Sequence, residues 1–155
     1  MHVLIATDGS KQSLAAARYF MSFADPVRVT AISVLAVIRP LAAVAFADDL
    51  SEKAKSRSSL ETQSFRAEAE SALAVVAAEL DAWGPPVRQR IRSGSPANEI
   101  IKAARQLDAG LVVVASGGRG LSDTILLGST AQRVQHSAPC PVLVVRPAPR
   151  RSAKR

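Results

Sequence analysis

The chain has one cysteine, Cys140, among 155 residues, only 4% aromatic side chains, and no apolar run approaching the ~18 residues that a membrane-spanning helix needs. A lone cysteine excludes a disulfide framework and fits a reducing compartment. Met1-His2 runs straight into Val3-Leu4-Ile5-Ala6 with no charged leader region or cleavage site, so the expected location is the cytoplasm. Few aromatics leave little on which nucleic-acid bases could stack. Three nucleotide and catalytic fingerprints are also missing: G-x-x-x-x-G-K-[ST], G-x-G-x-x-G after the first apolar run, and the G-x-S-x-G nucleophile elbow.

What is there is an apolar chain, 48% hydrophobic, with 20 lysines and arginines against 13 acids and a formal charge of +7. Such a chain can bury a core, and its length suits one domain. Strong basicity would point to nucleic acid, so the position of the charge decides. Arg146, Arg150, Arg151, Lys154 and Arg155 lie in the last ten residues, which hold no acid. The remainder is nearly balanced, with 15 positives against 13 negatives. A domain over residues 1–147 is therefore expected, followed by a disordered basic tail over 148–155, with neither nucleic acid nor membrane as partner.

Apolar periodicity orders the elements. Val3 to Ala6 is a short buried strand that runs into a helix start capped by Asp8 or Ser10, and Leu14, Ala17, Arg18 and Met21 continue at helical spacing. Val27 to Ile38 is β-branched and closed by Arg39-Pro40, a second strand. From Ser51 to Trp83, Phe65, Ala69, Leu73, Val76, Leu80 and Trp83 step by three or four along one long helix, its N-terminal half exposed. Val87, Gln89 and Ile91 alternate with Arg88, Arg90 and Arg92, as in an edge strand with one solvated face. Ser95 and Pro96 open a third helix; Leu111 to Ala115 reads as a central strand; Gly128-Ser129-Thr130 opens a fourth helix; Pro141 to Val145 is the last strand. Five strands alternating with four helices predict a doubly wound α/β domain with a parallel sheet and helices on both faces.

In such a sheet ligands bind beyond the carboxyl ends of the strands, where the strand order reverses. Two loops there carry suitable chemistry. Thr7-Asp8-Gly9-Ser10 offers a carboxylate, hydroxyls and free N–H groups, and Gly117, Gly118 and Gly120 can turn backbone N–H groups toward an anion. Gly128-Ser129-Thr130 adds a helix N-terminus that favours phosphate. Each feature also has a plain structural use, as tight turn or helix cap.

Taken together, the motifs resemble the universal stress protein family, as a single-domain member, from Val3 to Pro147. The resemblance is carried by Ile5 to Ser10, Gly94-Ser95-Pro96-Ala97, Gly117 to Leu121, Leu126 to Val134 and His136 to Val145. It implies strand order 3-2-1-4-5 and ATP, or AMP or ADP, held at the reversal. It also implies contacts from Asp8, Val34, Gly117, Gly120, Gly128 and Ser129, with Ala6, Thr7, Arg119 and Thr130 as neighbours. Asp8 would ligate any Mg2+ beside the phosphates. The chain departs from the ATP-binding pattern in one respect. Seven residues separate Gly120 from Gly128, two fewer than that pattern has. If a helical turn lost them, Gly128 would move ~3 Å and rotate about 200° relative to Gly120; an extended loop would absorb the loss.

Other residues read plainly. His2 and His136 lie in no metal-ligand spacing and suit surface or helix-end roles. Cys140 reads as a buried, inert thiol, and the Arg88, Arg90, Arg92 stripe as a solvated edge. Val142 to Val145 would be an uncovered edge strand; edge physics and the resemblance both imply a homodimer through it. The expected function is that of a stress-response or regulatory module binding ATP. Two alternatives are a dimeric interaction protein of the same fold without nucleotide, and a slow adenine-nucleotide hydrolase, for which no base and nucleophile pair is visible.

Overall fold

The computed structural model describes residues 1–40, 52–117 and 127–146, with side chains from Leu60 onward in the middle segment. The chain order is β1 (His2–Thr7), α1 (Lys11–Phe23), β2 (Ala31–Ile38), α2 (Glu52–Asp81), β3 (Val87–Ser93), α3 (Pro96–Gln106), β4 (Ala109–Ala115), α4 (Ser129–Ser137) and β5 (Val142–Val145). Every strand pair is parallel and the order is β3-β2-β1-β4-β5, as expected. The order reverses between β1 and β4, so their carboxyl ends define the switch point.

The pleat sends alternate side chains of each strand to opposite faces, and each face has its own core. On one, Val3, Ile5, Ile32 and Val34 meet Ala16, Ala17 and Phe20 of α1 and Leu73, Val76 and Leu80 of α2. On the other, Leu4, Leu35, Val112 and Val114 meet Ala97, Ile100 and Ala104 of α3 and Ala131 and Val134 of α4. Large side chains fill the first core, where Phe20 packs edge-on against Trp83 at 5.3 Å between ring centres. Alanines line the second and let α3 and α4 lie close to the sheet.

The N-terminal half of α2 is exposed from Leu60 to Glu68, as its Lys, Arg and Ser content predicts, and its buried stripe begins at Ala69. Three expectations change. Val27 is not in a strand: Asp25 caps a 3-10 turn over Pro26–Arg28 by accepting the Val27 N–H, which leaves Val27 89% exposed and starts β2 only at Ala31. Local capping and Pro26 override β-branched propensity there. The arginine stripe on β3 is not simply solvated, because α3 lies beside it. Arg92 pairs with Glu99 at 3.6 Å and also bonds Gln106, and Arg90 Nε donates to Ser33 Oγ at 3.2 Å. His2 is half-buried rather than on the surface, its Nε2 2.9 Å from the Oγ of the fully buried Ser33. Burial and the charges of Arg90 and Arg88 lower its pKa. Cys140 is half-buried against the second core, and burial raises its thiol pKa, consistent with an inert role.

Among the described residues, no helix is long and apolar enough to cross a membrane. The proposed tail, residues 148–155, lies outside the described residues, as does the 41–51 segment.

Candidate functional site

Beyond β1, Asp8 shapes the turn and Ser10 caps α1. The exposed Asp8 accepts the Ser10 N–H through Oδ1 at 2.9 Å, and Ser10 Oγ accepts the Ser13 N–H at 3.2 Å. Gly9, at φ 77°, makes the turn without a Cβ penalty. Thr7 is buried; its Oγ1 lies 2.9 Å from Ser13 Oγ and accepts the Gly9 N–H. The chain's own side chains thus take the Gly9 and Ser10 amides of the turn and the Ser13 amide in the first turn of α1. A cavity of about 340 Å³ beside this turn is lined by Thr7, Ser10, Lys11 and Leu14 from β1 and α1 and by Glu68 and Ser71 from α2.

The other face is built differently. Ser95 caps α3 and Gly128 caps α4, and neither helix start has a side-chain cap hydrogen bond. Both border a cleft of about 410 Å³ lined by Arg39, Gly94, Ser95, Ser129, Thr130 and Arg133 among others. Gly94 sits at φ +145°, and a Cβ there would come within 3.0–3.3 Å of the Glu99 side chain, so glycine is needed where the chain turns into α3.

The start of α4 is fixed by backbone bonds. Gly128 N–H donates to the Ser116 carbonyl at 2.6 Å, and Ser116 N–H donates to the Val145 carbonyl at 2.8 Å. Ser116 and Gly128 therefore meet at one point, next to the last rung of β4 and β5. This holds Gly128 at the end of β4.

The expected site residues divide between the two faces. Ser129 and Thr130 line the α3/α4 cleft; Gly128 caps the helix that carries them; Gly117 is half-buried just beyond Ser116; and half-buried Ala6 packs against the α3/α4 core. Thr7 borders the cavity on the α1 side, and Asp8 lies exposed in the turn above β1. The Val34 side chain is fully buried in the α1/α2 core, on the face of the sheet opposite the cleft, and does not line it. Val37, three residues on, packs toward α3 and α4. Arg119 and Gly120 lie outside the described residues. The sequence reading gave no role to Arg39 or Arg133. Arg39 directly follows the carboxyl end of β2, and Arg133 lies one turn into α4; position at the carboxyl rim was the signal available.

Among the described residues no group of three or more His, Cys, Asp or Glu could hold a metal ion. Asp8 is one carboxylate at the rim, a donor set that fits Mg2+ only when phosphates supply most of the other ligands.

The model of the universal stress protein family matches residues 1–146. A universal stress protein of Methanocaldococcus jannaschii is 32% identical over 145 residues, which cover 93% of this chain and 81% of the relative. Among solved structures, the protein designated MJ0577 has a similar fold, with a TM-score of 0.78, 24% identity and coverage of 96% of both chains. A universal stress protein solved in complex with cAMP has a TM-score of 0.65 and 22% identity, covering 94% of this chain and 96% of that one.

Proposed function

This chain belongs to the universal stress protein family, and from that premise we propose that it binds an adenine nucleotide at the carboxyl rim of its sheet as a stress-response or regulatory module. The observation that carries the proposal is the Gly128 to Ser116 bond. The short Gly120 to Gly128 spacing threatened to swing the start of α4 away from the switch point. With Gly128 tied to the end of β4, the open amides of α4 and the hydroxyls of Ser129 and Thr130 still face the cleft, a setting suited to phosphate. A structural neighbour in complex with cAMP supports the adenine. In this reading Asp8, Gly117, Gly128, Ser129 and Thr130 contact the ligand, Ala6 and Thr7 adjoin it, and Arg119 and Gly120 complete the loop. The ligand is ATP or a related adenine nucleotide, and Asp8 meets Mg2+ on its phosphates.

Titration calorimetry tests the reading. Saturable heat with ATP at micromolar to millimolar concentration is expected, and adenine nucleotide should be released when freshly purified protein is denatured. No heat at millimolar ATP, with none released, would overturn it.

A homodimer belongs to the same proposal. Among the described residues β5 is a sheet edge, with Val142, Leu143, Val144 and Val145 each half-buried and one side of the strand unpaired. Light scattering should return twice the chain mass of 16.3 kDa. A monomer at tens of micromolar would remove this part of the proposal and leave the nucleotide part standing. In the cell the expected setting is the cytoplasm.

A further inference from the structure

The α3/α4 cleft is lined by two arginines from different elements, Arg39 after β2 and Arg133 in α4. Arg18, Arg66 and Arg92 each pair with a carboxylate, whereas Arg39 and Arg133 engage none among the described residues. No described residue lining the cleft is acidic. Glu99, whose side chain lies against Gly94, is already taken by Lys102 at 2.9 Å and Arg92 at 3.6 Å. Its charge is therefore offset before it reaches the cleft, and Arg39 and Arg133 leave an excess of positive charge there. The volume, about 410 Å³, is that of a site for a small organic ligand rather than for a single ion.

Arginine presents a rigid fork of N–H donors that matches phosphate oxygens in pairs. Two such forks, in one cleft with the Ser129 and Thr130 hydroxyls, suit an extended polyanion better than one tetrahedral phosphate. We propose that Arg39 and Arg133 clamp a condensed phosphate chain, so that the ligand of this cleft is a nucleoside di- or triphosphate and a monophosphate is bound weakly. The adenine reading supplies only the base of that ligand. The clamp itself rests on the two arginines and the chemistry of the cleft. It divides the recognition of one molecule between backbone amides, which hold whichever phosphate lies nearest α4, and side chains that count the phosphates beyond it.

Calorimetry on the full chain and on Arg39→Gln and Arg133→Gln, with ATP, AMP and inorganic tripolyphosphate as probes, separates the possibilities. Glutamine keeps a polar side chain at each position, and both residues are exposed, so the melting temperature should be unchanged. Wild-type protein should bind ATP at least ~10-fold more tightly than AMP. Each substitution should weaken ATP and tripolyphosphate by about tenfold while AMP stays within about twofold, the loss expected for one charge-assisted contact. Equal wild-type affinity for ATP and AMP, or ATP binding that ignores both substitutions, would overturn the clamp while leaving the adenine reading intact. Arginine-dependent binding of tripolyphosphate without ATP or AMP binding would do the reverse. If AMP falls in step with ATP in either variant, the arginine positions the whole nucleotide and the clamp is wrong.

Discussion

The two faces of the sheet solve one problem in different ways. Both bring helix N-termini to the same carboxyl rim, but on the α1/α2 face the start of α1 is closed by Ser10, Asp8 and Thr7. On the α3/α4 face Ser95 and Gly128 leave their helix starts without side-chain caps, and Arg39 and Arg133, which pair with no carboxylate among the described residues, line the same cleft. The packing beneath differs too: large aromatic and aliphatic side chains on the closed face, alanines on the open one. The α1 side satisfies polar groups from within, and the α3/α4 side is where the proposed ligand would find helix starts without side-chain caps.

That contrast can be broken by substitution. The largest effect belongs to the closed face. Phe20→Ala removes a fully buried ring that packs on Trp83 and should cost about 3–5 kcal/mol in urea denaturation, while nucleotide affinity of the folded fraction stays unchanged. Parallel losses of stability and affinity would mean that the faces are not separable. Next comes Ser129→Asp on the open face. A carboxylate at the first position of α4 complements the helix dipole and should leave the melting temperature equal or slightly higher, yet it opposes a phosphate and should weaken ATP ~10-fold or more. Full affinity in that variant would move the phosphate away from α4. Ser10→Ala is smaller. Loss of the α1 cap should cost about 1 kcal/mol and leave ATP binding alone.

The smallest effect is a pH dependence at the opposite end of the strands. His2 sits against Ser33 with its pKa lowered by burial and by Arg90, Arg88 and the N-terminal charge, against a weaker opposing pull from the Leu107 backbone. The native protein therefore resists a proton that the unfolded chain accepts. Stability should be flat above the unfolded value of 6.5, fall as the pH drops through it, and level off below the native pKa. Denaturation midpoints at pH 7.5 and 5.5 should show a steeper loss in wild type than in His2→Gln; equal losses would assign the titration to another group.

Periodicity was enough to place the strands and helices. Leu73, Val76 and Leu80 mark the buried stripe of α2, and the unbroken apolar run of β4 announces a strand covered on both faces. Val27 misled because capping by Asp25, two residues away, outweighs the propensity of Val27 itself. For Val34 a motif match gives a position along a strand, while the pleat decides which face its side chain joins, and here the side chain joins the α1/α2 core. Arg39 and Arg133 were invisible as a pair because β2 and α4 meet only in the folded chain. The bond from Gly128 to Ser116 joins two backbone groups twelve positions apart and leaves no mark in residue type.

That bond, with its neighbour from Ser116 to Val145, also fastens together the two points between which the chain passes from β4 to α4. A segment whose ends are fastened at one point can gain or lose residues without shifting what it connects, and each doubling of a flexible loop costs only ~0.6 kcal/mol. A chain built this way can trial new connections while sheet and helix stay in register. The same place would accept a grafted peptide or a reporter insertion with little penalty to folding.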